Sequence, residues 1–378
     1  MDFSLSDDQL MLQQNARQFF TAQRGTRPAR KAMEGDVAST KALWKQMAEL
    51  GYPAITIAEA FGGAGEGFLS LVPVLEEAGR VLAPGPLPET VGFAVPLLTR
   101  LGTQAQKQQY LQGIADGSEI VTLAFYESSC DAFAGQATVT AERTAAGFRL
   151  NGQKVLVPNA DLATALIVLA RTTAGPAGEG LSLFIVDPKA SGVQMRLQRP
   201  MDQTRPLFAV SFEQTEVGEE ALIGPLDEGW TAAEEALRTL AVSLSVLSVG
   251  AMDACVEQSA EYAKTRVQFG QPIGRFQAVK HRIVDMKVNL ETARSLTYYA
   301  AWALEEGSSD RHVAAADAKS FTAQAFVRVA NANIQNHGGM GFTWEAEPHL
   351  YAKRAKAWEN YIGSPEAHLD YIAAAQGW

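Results

Sequence analysis

Between Phe276 and Glu306 the apolar residues Val279, Ile283, Met286, Leu290 and Ala293 recur at alternating four- and three-residue steps, which places them on one face of a single helix. A helix over that stretch is roughly 45 Å long at about 1.5 Å per residue. Such a stripe is stable in water only when other helices cover it. Ala314 to Gln335 supplies a second, Ala-rich helix, which stops in the glycine-rich run Asn336-His337-Gly338-Gly339-Met340-Gly341. The helical period holds from Gly229 onward, so the last part of the chain reads as a bundle.

Upstream the period is different. Ser6 caps a first helix whose apolar face holds Leu10, Leu12, Ala16, Phe19 and Phe20. The cluster Phe61-Gly62-Gly63-Ala64-Gly65-Glu66-Gly67 precedes an apolar run from Leu69 to Leu82. It lacks the Lys-Ser/Thr of a phosphate-binding P-loop and reads as a turn. Ala83 to Pro88 is a proline-set connection, and Leu101 to Ile114 reads as a further helix. Near Glu119 the pattern becomes strand-like, with short runs at Ile120–Tyr126, Ala137–Ala141, Gly147–Val157, Leu166–Arg171, Leu181–Asp187 and Phe208–Phe212. The expected fold is α+β, mainly α: an N-terminal helical domain over 1–118, a middle β-sheet or barrel domain over 119–228, and a C-terminal helical bundle and oligomerisation domain over 229–378.

Charge and cysteine content exclude several function classes. The 32 basic and 42 acidic residues give a net charge of −10, so no basic face is expected to bind nucleic acid. Only Cys130 and Cys255 are present, in no CxxC or Cys/His cluster, which argues against a disulfide framework or a zinc site and for a reducing compartment. The start, Met1-Asp2-Phe3-Ser4-Leu5-Ser6-Asp7-Asp8, is acidic where a signal peptide is basic, and no window reaches ~18 uninterrupted apolar residues. A cytoplasmic location without membrane contact is the expectation. His281, His312, His349 and His368 form no Ser/His/Asp or metal constellation.

The segment Arg266-Val267-Gln268-Phe269-Gly270-Gln271-Pro272-Ile273-Gly274-Arg275-Phe276-Gln277 resembles the RxxFGxxIxxFQ signature of the acyl-CoA dehydrogenase family. Phe61-Gly62-Gly63-Ala64-Gly65, Glu76-Glu77-Ala78-Gly79-Arg80, the Gly152-Gln153-Lys154 turn and Gln335-Asn336-His337-Gly338-Gly339 match further family motifs, in family order and over nearly the full length. The resemblance implies an N-terminal helical domain, a middle β domain and a C-terminal four-helix bundle, assembled as a tetramer. It implies FAD bound between subunits, an acyl-CoA substrate and electron-transferring flavoprotein as acceptor. By the same resemblance Arg266, Phe269, Gln271, Phe276, Gln335, His337, Gly338 and Gly339 hold the pyrophosphate and adenosine of that FAD. The residue types suit the role: a guanidinium pairs with phosphate, and glycines let the backbone approach it.

The other half of the family site is altered. Family enzymes remove the α proton with a Glu, most often within YEGT; the matching Tyr361-Ile362-Gly363-Ser364 places Ile362 there, and Ile accepts no proton. The alternative position, on a helix ahead of RxxFG, falls on Leu240. The catalytic base is therefore unknown, with Glu234, Glu235, Glu359 and Glu366 as displaced candidates. TEPxxGSD is replaced by Tyr126-Glu127-Ser128-Ser129-Cys130-Asp131 and KxWIT by Lys154-Val155-Leu156-Val157-Pro158, and a CoA-facing Arg is Ala241, with Arg238 nearby. Three readings follow. The chain is the base-lacking partner of a homologous subunit in an α2β2 complex, as in members acting on steroid side-chain CoA esters; or a self-sufficient homotetramer; or a scaffold without flavin.

Overall fold

The computed structural model describes residues 5–128, 133 and 135–378. The first part is helical: α1 (Asp7–Ala22), α2 (Arg27–Met33), α3 (Val37–Glu49), α4 (Phe68–Arg80), α5 (Leu87–Glu89), α6 (Val95–Leu101), α7 (Gln104–Gln106) and α8 (Gln112–Asp116). Eight strands follow: β1 (Val121–Ala124), β2 (Thr140–Thr144), β3 (Gly147–Pro158), β4 (Ala165–Arg171), β5 (Leu181–Val186), β6 (Val193–Gln198), β7 (Leu207–Val217) and β8 (Leu222–Ile223). The remainder is α9 (Gly229–Thr265), the short pair β9 (Val267–Gln268) and β10 (Gln271–Pro272), then α10 (Gln277–Glu305), α11 (Arg311–His337), α12 (Pro348–Glu359) and α13 (Pro365–Gln376). The order helices, sheet, helices is the one expected.

Contacts group the chain into two compact units, Met1–Arg30 with Phe68–Ala83 and Ala241–Trp378, and Lys31–Gly67 with Pro84–Leu240. In the first, α10 and α11 pack along each other, α12 and α13 pack on α11, and α4 packs on α1 and α10. The motif Glu76 to Arg80 explains how α4 is held. Glu77 pairs with Arg17 of α1 at 2.7 Å, Glu76 with Arg294 of α10 at 2.8 Å, and Arg80 with Asp253 and Glu257 of α9. Tyr298 donates its hydroxyl to Glu76 at 2.9 Å. A Cβ on Gly79 would lie 2.0 Å from the Leu247 carbonyl, and one on Gly250 1.8 Å from that of Glu76, so both helices need glycine where they cross. Along α10 the expected stripe is buried from Met286 onward, while Val279 and Ile283 are only partly covered and Val284 and Val288 are exposed.

In the second unit the strand order is β6-β7-β3-β2-β4-β5-β8, with β1 alongside β4. Phe148, Leu150, Val168, Phe184, Val210 and Phe212 are among the residues filling its core. Several local expectations are corrected. The helix expected over Leu101 to Ile114 starts later: α6 ends at Leu101, Gly102 is extended, and Thr103 caps an unbroken helical stretch from Gln104 to Asp116 that passes through one π turn at Lys107–Leu111. The strand expected at Ala137–Ala141 begins at Thr140 and continues into polar Glu142 and Arg143. Gly152-Gln153-Lys154 is no turn but the interior of β3, between two irregularities in its pairing with β7. The edge strand β6 was not expected, because Gln194, Arg196 and Gln198 give it no apolar run. Helix α9 is long and apolar enough to cross a membrane, but 83% of its most apolar 18-residue window is buried within the protein, the place of a core helix.

Candidate functional site

Helix α9 ends at Thr265 and the chain turns back through β9 and β10. Phe269 and Gly270 form the turn with φ of 52° and 75°, the two positive values that a tight hairpin connection demands. Glycine takes this conformation freely; phenylalanine does not. The Phe269 side chain is nevertheless 91% exposed, meeting Phe276 edge-on at 6.0 Å. Phe276 is the extended residue that starts α10, and the Ile273 amide donates to the Arg266 carbonyl at 2.8 Å, closing the hairpin's base.

The glycine turn after α11 lies beside this hairpin. Tyr262, one turn before Arg266, stacks on His337 with ring centroids 4.4 Å apart, and His337 Nδ1 meets the Asn333 carbonyl at 2.8 Å. Arg282 donates to Asn336 at 3.1 Å. A Cβ on Gly338 or Gly339 would meet nothing within 4 Å, whereas one on Gly341 would lie 2.8 Å from the Ile334 carbonyl. Gly341 is small because it is packed, whereas Gly338 and Gly339 leave their backbone open to solvent. All eight expected cofactor residues thus lie in one unit, and Arg266, Gln335, Gly338 and Gly339 are exposed. Lys264, Arg266, Arg275, Lys280 and Arg282 fall within a stretch that holds no acidic residue from Tyr262 to Val284, in a chain of net charge −10. The basic stretch and the open backbone at Gly338 and Gly339 are of the chemistry that suits a pyrophosphate. Tyr262 and Asn333, which join the two motifs, carry no motif signal of their own.

The turn matching YEGT is fully built. Ile362 is completely buried at φ +59°, a costly conformation for a β-branched residue, and its carbonyl accepts from His368 Nε2 at 2.8 Å. Lys319, itself buried, donates to the Trp358 and Glu359 carbonyls at 2.9 and 3.2 Å, and Ser364 caps α13. Leu240 is likewise wholly buried. Of the displaced candidates, Glu234 is paired with Arg238 at 2.6 Å, Glu235 with Arg100 and Glu359 with Lys356, while Glu366 is exposed in the first turn of α13. Arg238 also covers the Phe133 ring at 5.5 Å.

On the sheet, Lys154 and Glu127 meet at 2.6 Å with side chains 0% and 1% exposed. The Thr138 and Val139 amides donate to the same carboxylate at 2.7 and 3.0 Å. Burial pushes the Glu127 carboxyl up, but Lys154 and these donors outweigh it and hold it below the usual carboxylate range. Beyond Lys154 the strand bulges, Leu156 takes φ +53°, and its amide donates to the Gln198 side chain at 2.8 Å. Ser129, Cys130 and Asp131 lie outside the described residues. Among the described residues no cluster of His, Cys, Asp or Glu could hold a metal ion, and Cys255 is a free, buried thiol.

Comparison with known proteins identifies the family and the fold over nearly the whole chain. The sequence matches the acyl-CoA dehydrogenase N-terminal domain over residues 6–118, the middle domain over 127–214 and the C-terminal domain over 227–377. It is 30% identical over 330 residues to the mitochondrial isovaleryl-CoA dehydrogenase of Solanum tuberosum, covering 86% of this chain and 79% of that protein. Its fold superposes on butyryl-CoA dehydrogenase from Megasphaera elsdenii with a TM-score of 0.93 at 26% identity, covering 100% of both chains. On a variant of the Tcur3481-Tcur3483 steroid acyl-CoA dehydrogenase the TM-score is 0.88 at 29% identity, covering 99% of each. With all three domain models matched in order from residue 6 to residue 377, the chain belongs to the acyl-CoA dehydrogenase family.

Proposed function

We propose that this chain is the base-lacking subunit of an α2β2 acyl-CoA dehydrogenase, sharing FAD sites with a homologous partner that carries the base. The observation that carries this reading is Ile362: a buried aliphatic side chain in an intact turn, where proton removal needs a carboxylate. The cofactor is FAD, which takes up the hydride in α,β-dehydrogenation of an acyl-CoA thioester. Arg266 neutralises its pyrophosphate, Gly338 and Gly339 admit the phosphates close to the backbone, and Phe269, Gln271, Phe276, Gln335 and His337 frame the adenosine side. None of these residues moves a proton; they bind and orient. Exposed Phe269, Val284 and Val288 suit burial against other subunits of a tetramer. A steroid-type acyl group is favoured by the likeness to a steroid acyl-CoA dehydrogenase and by the loss of one site's ring contacts. Electron-transferring flavoprotein is the acceptor in this reading, and the location is cytoplasmic.

The test is the visible spectrum of the chain purified alone and with a co-expressed paralogue. A colourless chain that becomes yellow and active only in the pair supports the shared site. One FAD per chain in the isolated protein, bleached by an acyl-CoA, overturns it in favour of a self-sufficient enzyme. Absence of colour with every partner overturns it in favour of a scaffold.

A further inference from the structure

One side-chain amide joins the two arms of the glycine turn. Gln258 of α9 donates from Nε2 to Glu347 Oε2 at 3.0 Å and accepts at Oε1 from Asn333 Nδ2 at 2.9 Å. Asn333 lies near the end of α11, before the turn, and Glu347 stands at the start of α12, beyond it. The direction of these bonds is forced. A carboxylate accepts and does not donate, so the Gln258 NH2 faces Glu347 and its oxygen faces Asn333. The Asn333 oxygen is then left for Ser259, whose hydroxyl donates to it at 2.8 Å. Asn333 and Ser259 are completely buried, where an unmade hydrogen bond is costly.

The far arm is fixed as well. The Thr26 hydroxyl donates to Glu347 at 2.5 Å, and Arg30 donates to the Trp344 and Ala346 carbonyls at 2.6 and 2.7 Å. Gly338 and Gly339 themselves have nothing within 4 Å of where a side chain would start, so their placement depends on these arms. Gln258 also begins a row on α9. Residues four apart share a helix face, so Gln258, Tyr262 and Arg266 follow one another, with the Arg266 amide still bonding the Tyr262 carbonyl at 2.8 Å. Tyr262 stacks on His337, the residue before Gly338. The row therefore ties the glycine turn to the residue that carries the guanidinium, and neither Gln258 nor Glu347 belongs to a matched motif.

We propose that Gln258 is a positioning residue for the cofactor: resting on the FAD reading above, it staples the two arms of the Gly338–Gly339 turn and so sets that open backbone against Arg266 at the spacing a pyrophosphate requires. It acts through Asn333 and Glu347 rather than on the cofactor.

The test exchanges the two groups in the complex of this chain with its co-expressed paralogue, reading the affinities for FAD and for ADP, which carries the pyrophosphate without the flavin ring, beside the unfolding midpoint. Gln258→Glu sets two carboxylates face to face and should weaken both ligands about ten-fold. Adding Glu347→Gln restores every bond, since the new carboxylate accepts from Asn333 and from the new amide, and both affinities should return to within about three-fold of the native complex. Gln258→Met, which removes both bonds without adding charge, should show the same loss and decides the matter if the single carboxylate variant does not fold. A lower midpoint with both affinities unchanged in the folded complex makes Gln258 merely structural and overturns the proposal, as does a loss that the exchanged pair fails to recover. Arg266→Gln is the control for the cofactor assignment. Flavin retained in both Arg266→Gln and Gln258→Glu strikes that assignment and the staple together, whereas flavin lost with Arg266→Gln but retained with Gln258→Glu strikes the staple alone.

Discussion

Lys154 Nζ lies 2.6 Å from Glu127 Oε1 in a part of the sheet unit that leaves both side chains essentially without solvent. The carboxylate also ties down the Thr138 and Val139 amides, and Lys154 reaches the Phe125 carbonyl at 3.3 Å. Removing one charge from such a pair strands the other. Lys154→Met should therefore cost about 3–5 kcal/mol in urea unfolding, and Glu127→Gln added to it should recover part of that loss. A loss below about 1 kcal/mol, the range of an exposed pair, would sink the idea that the pair is closed.

The same pair sets an acid limit. Because the Glu127 carboxyl is held below its usual range, its contribution is fully present above the unfolded value of about 4.3. It is lost as pH falls through the lower, folded value. The stability difference between the native chain and Glu127→Gln should be flat near neutrality and shrink below about pH 4. A difference that instead grows with acid contradicts the assignment.

Arg266 and Phe269 are exposed, so their replacement separates binding from folding. Arg266→Gln should leave the unfolding midpoint of the chain unchanged and lower FAD affinity of the co-purified complex by about ten- to a hundred-fold, the value of a charge-assisted contact. Phe269→Asn should stabilise the isolated chain by up to about 1 kcal/mol, since Asn accepts φ 52° more readily, while flavin retention falls. Equal flavin content in both variants and the native complex would remove these residues from the cofactor site.

How much of this was legible in the sequence depends on how local the cause is. The stripe along α10 and the glycine stop after α11 are set by residues within a few turns, and both were readable. The Tyr262–His337 stack was not, because Tyr262 carries no motif signal and its meeting with His337 across two helices is a property of packing. Gly152-Gln153-Lys154 is a turn only by the motif resemblance, whereas the strand pattern from Gly147 to Val157 runs through it; in the sheet these residues sit between two irregularities of pairing, with Lys154 buried against Glu127. Strand β6 was missed although Val193, Met195 and Leu197 alternate with Gln194, Arg196 and Gln198: the pattern lacks the continuous apolar run that marks the buried strands, and at the sheet edge most of its side chains stay exposed. Ile362 and Leu240 could be placed by motif spacing, but their complete burial is a property of packing.

Burial at Ile362 is also what makes its replacement informative. Ile362→Glu puts a carboxyl where the side chain now has no exposure, on a turn pinned by Lys319 and His368. An unpaired carboxylate there is desolvated, so its folded pKa rises above the unfolded value of about 4.3. The sign of the pH dependence follows: below that value the variant carries a neutral acid in both states, and its deficit grows as pH rises from there to the raised folded value, then levels off. The variant should be least stable at neutral pH and regain about 1–3 kcal/mol in mild acid, the opposite of the Glu127 behaviour. Dehydrogenation by the isolated variant should stay absent, because Pro158 and the altered stretch after Tyr126 still lack the ring contacts of the family. A variant that is stable at neutral pH with no acid recovery, and that turns over an acyl-CoA alone, would show that this turn opens onto a working site and that a single residue separates the chain from a self-sufficient enzyme.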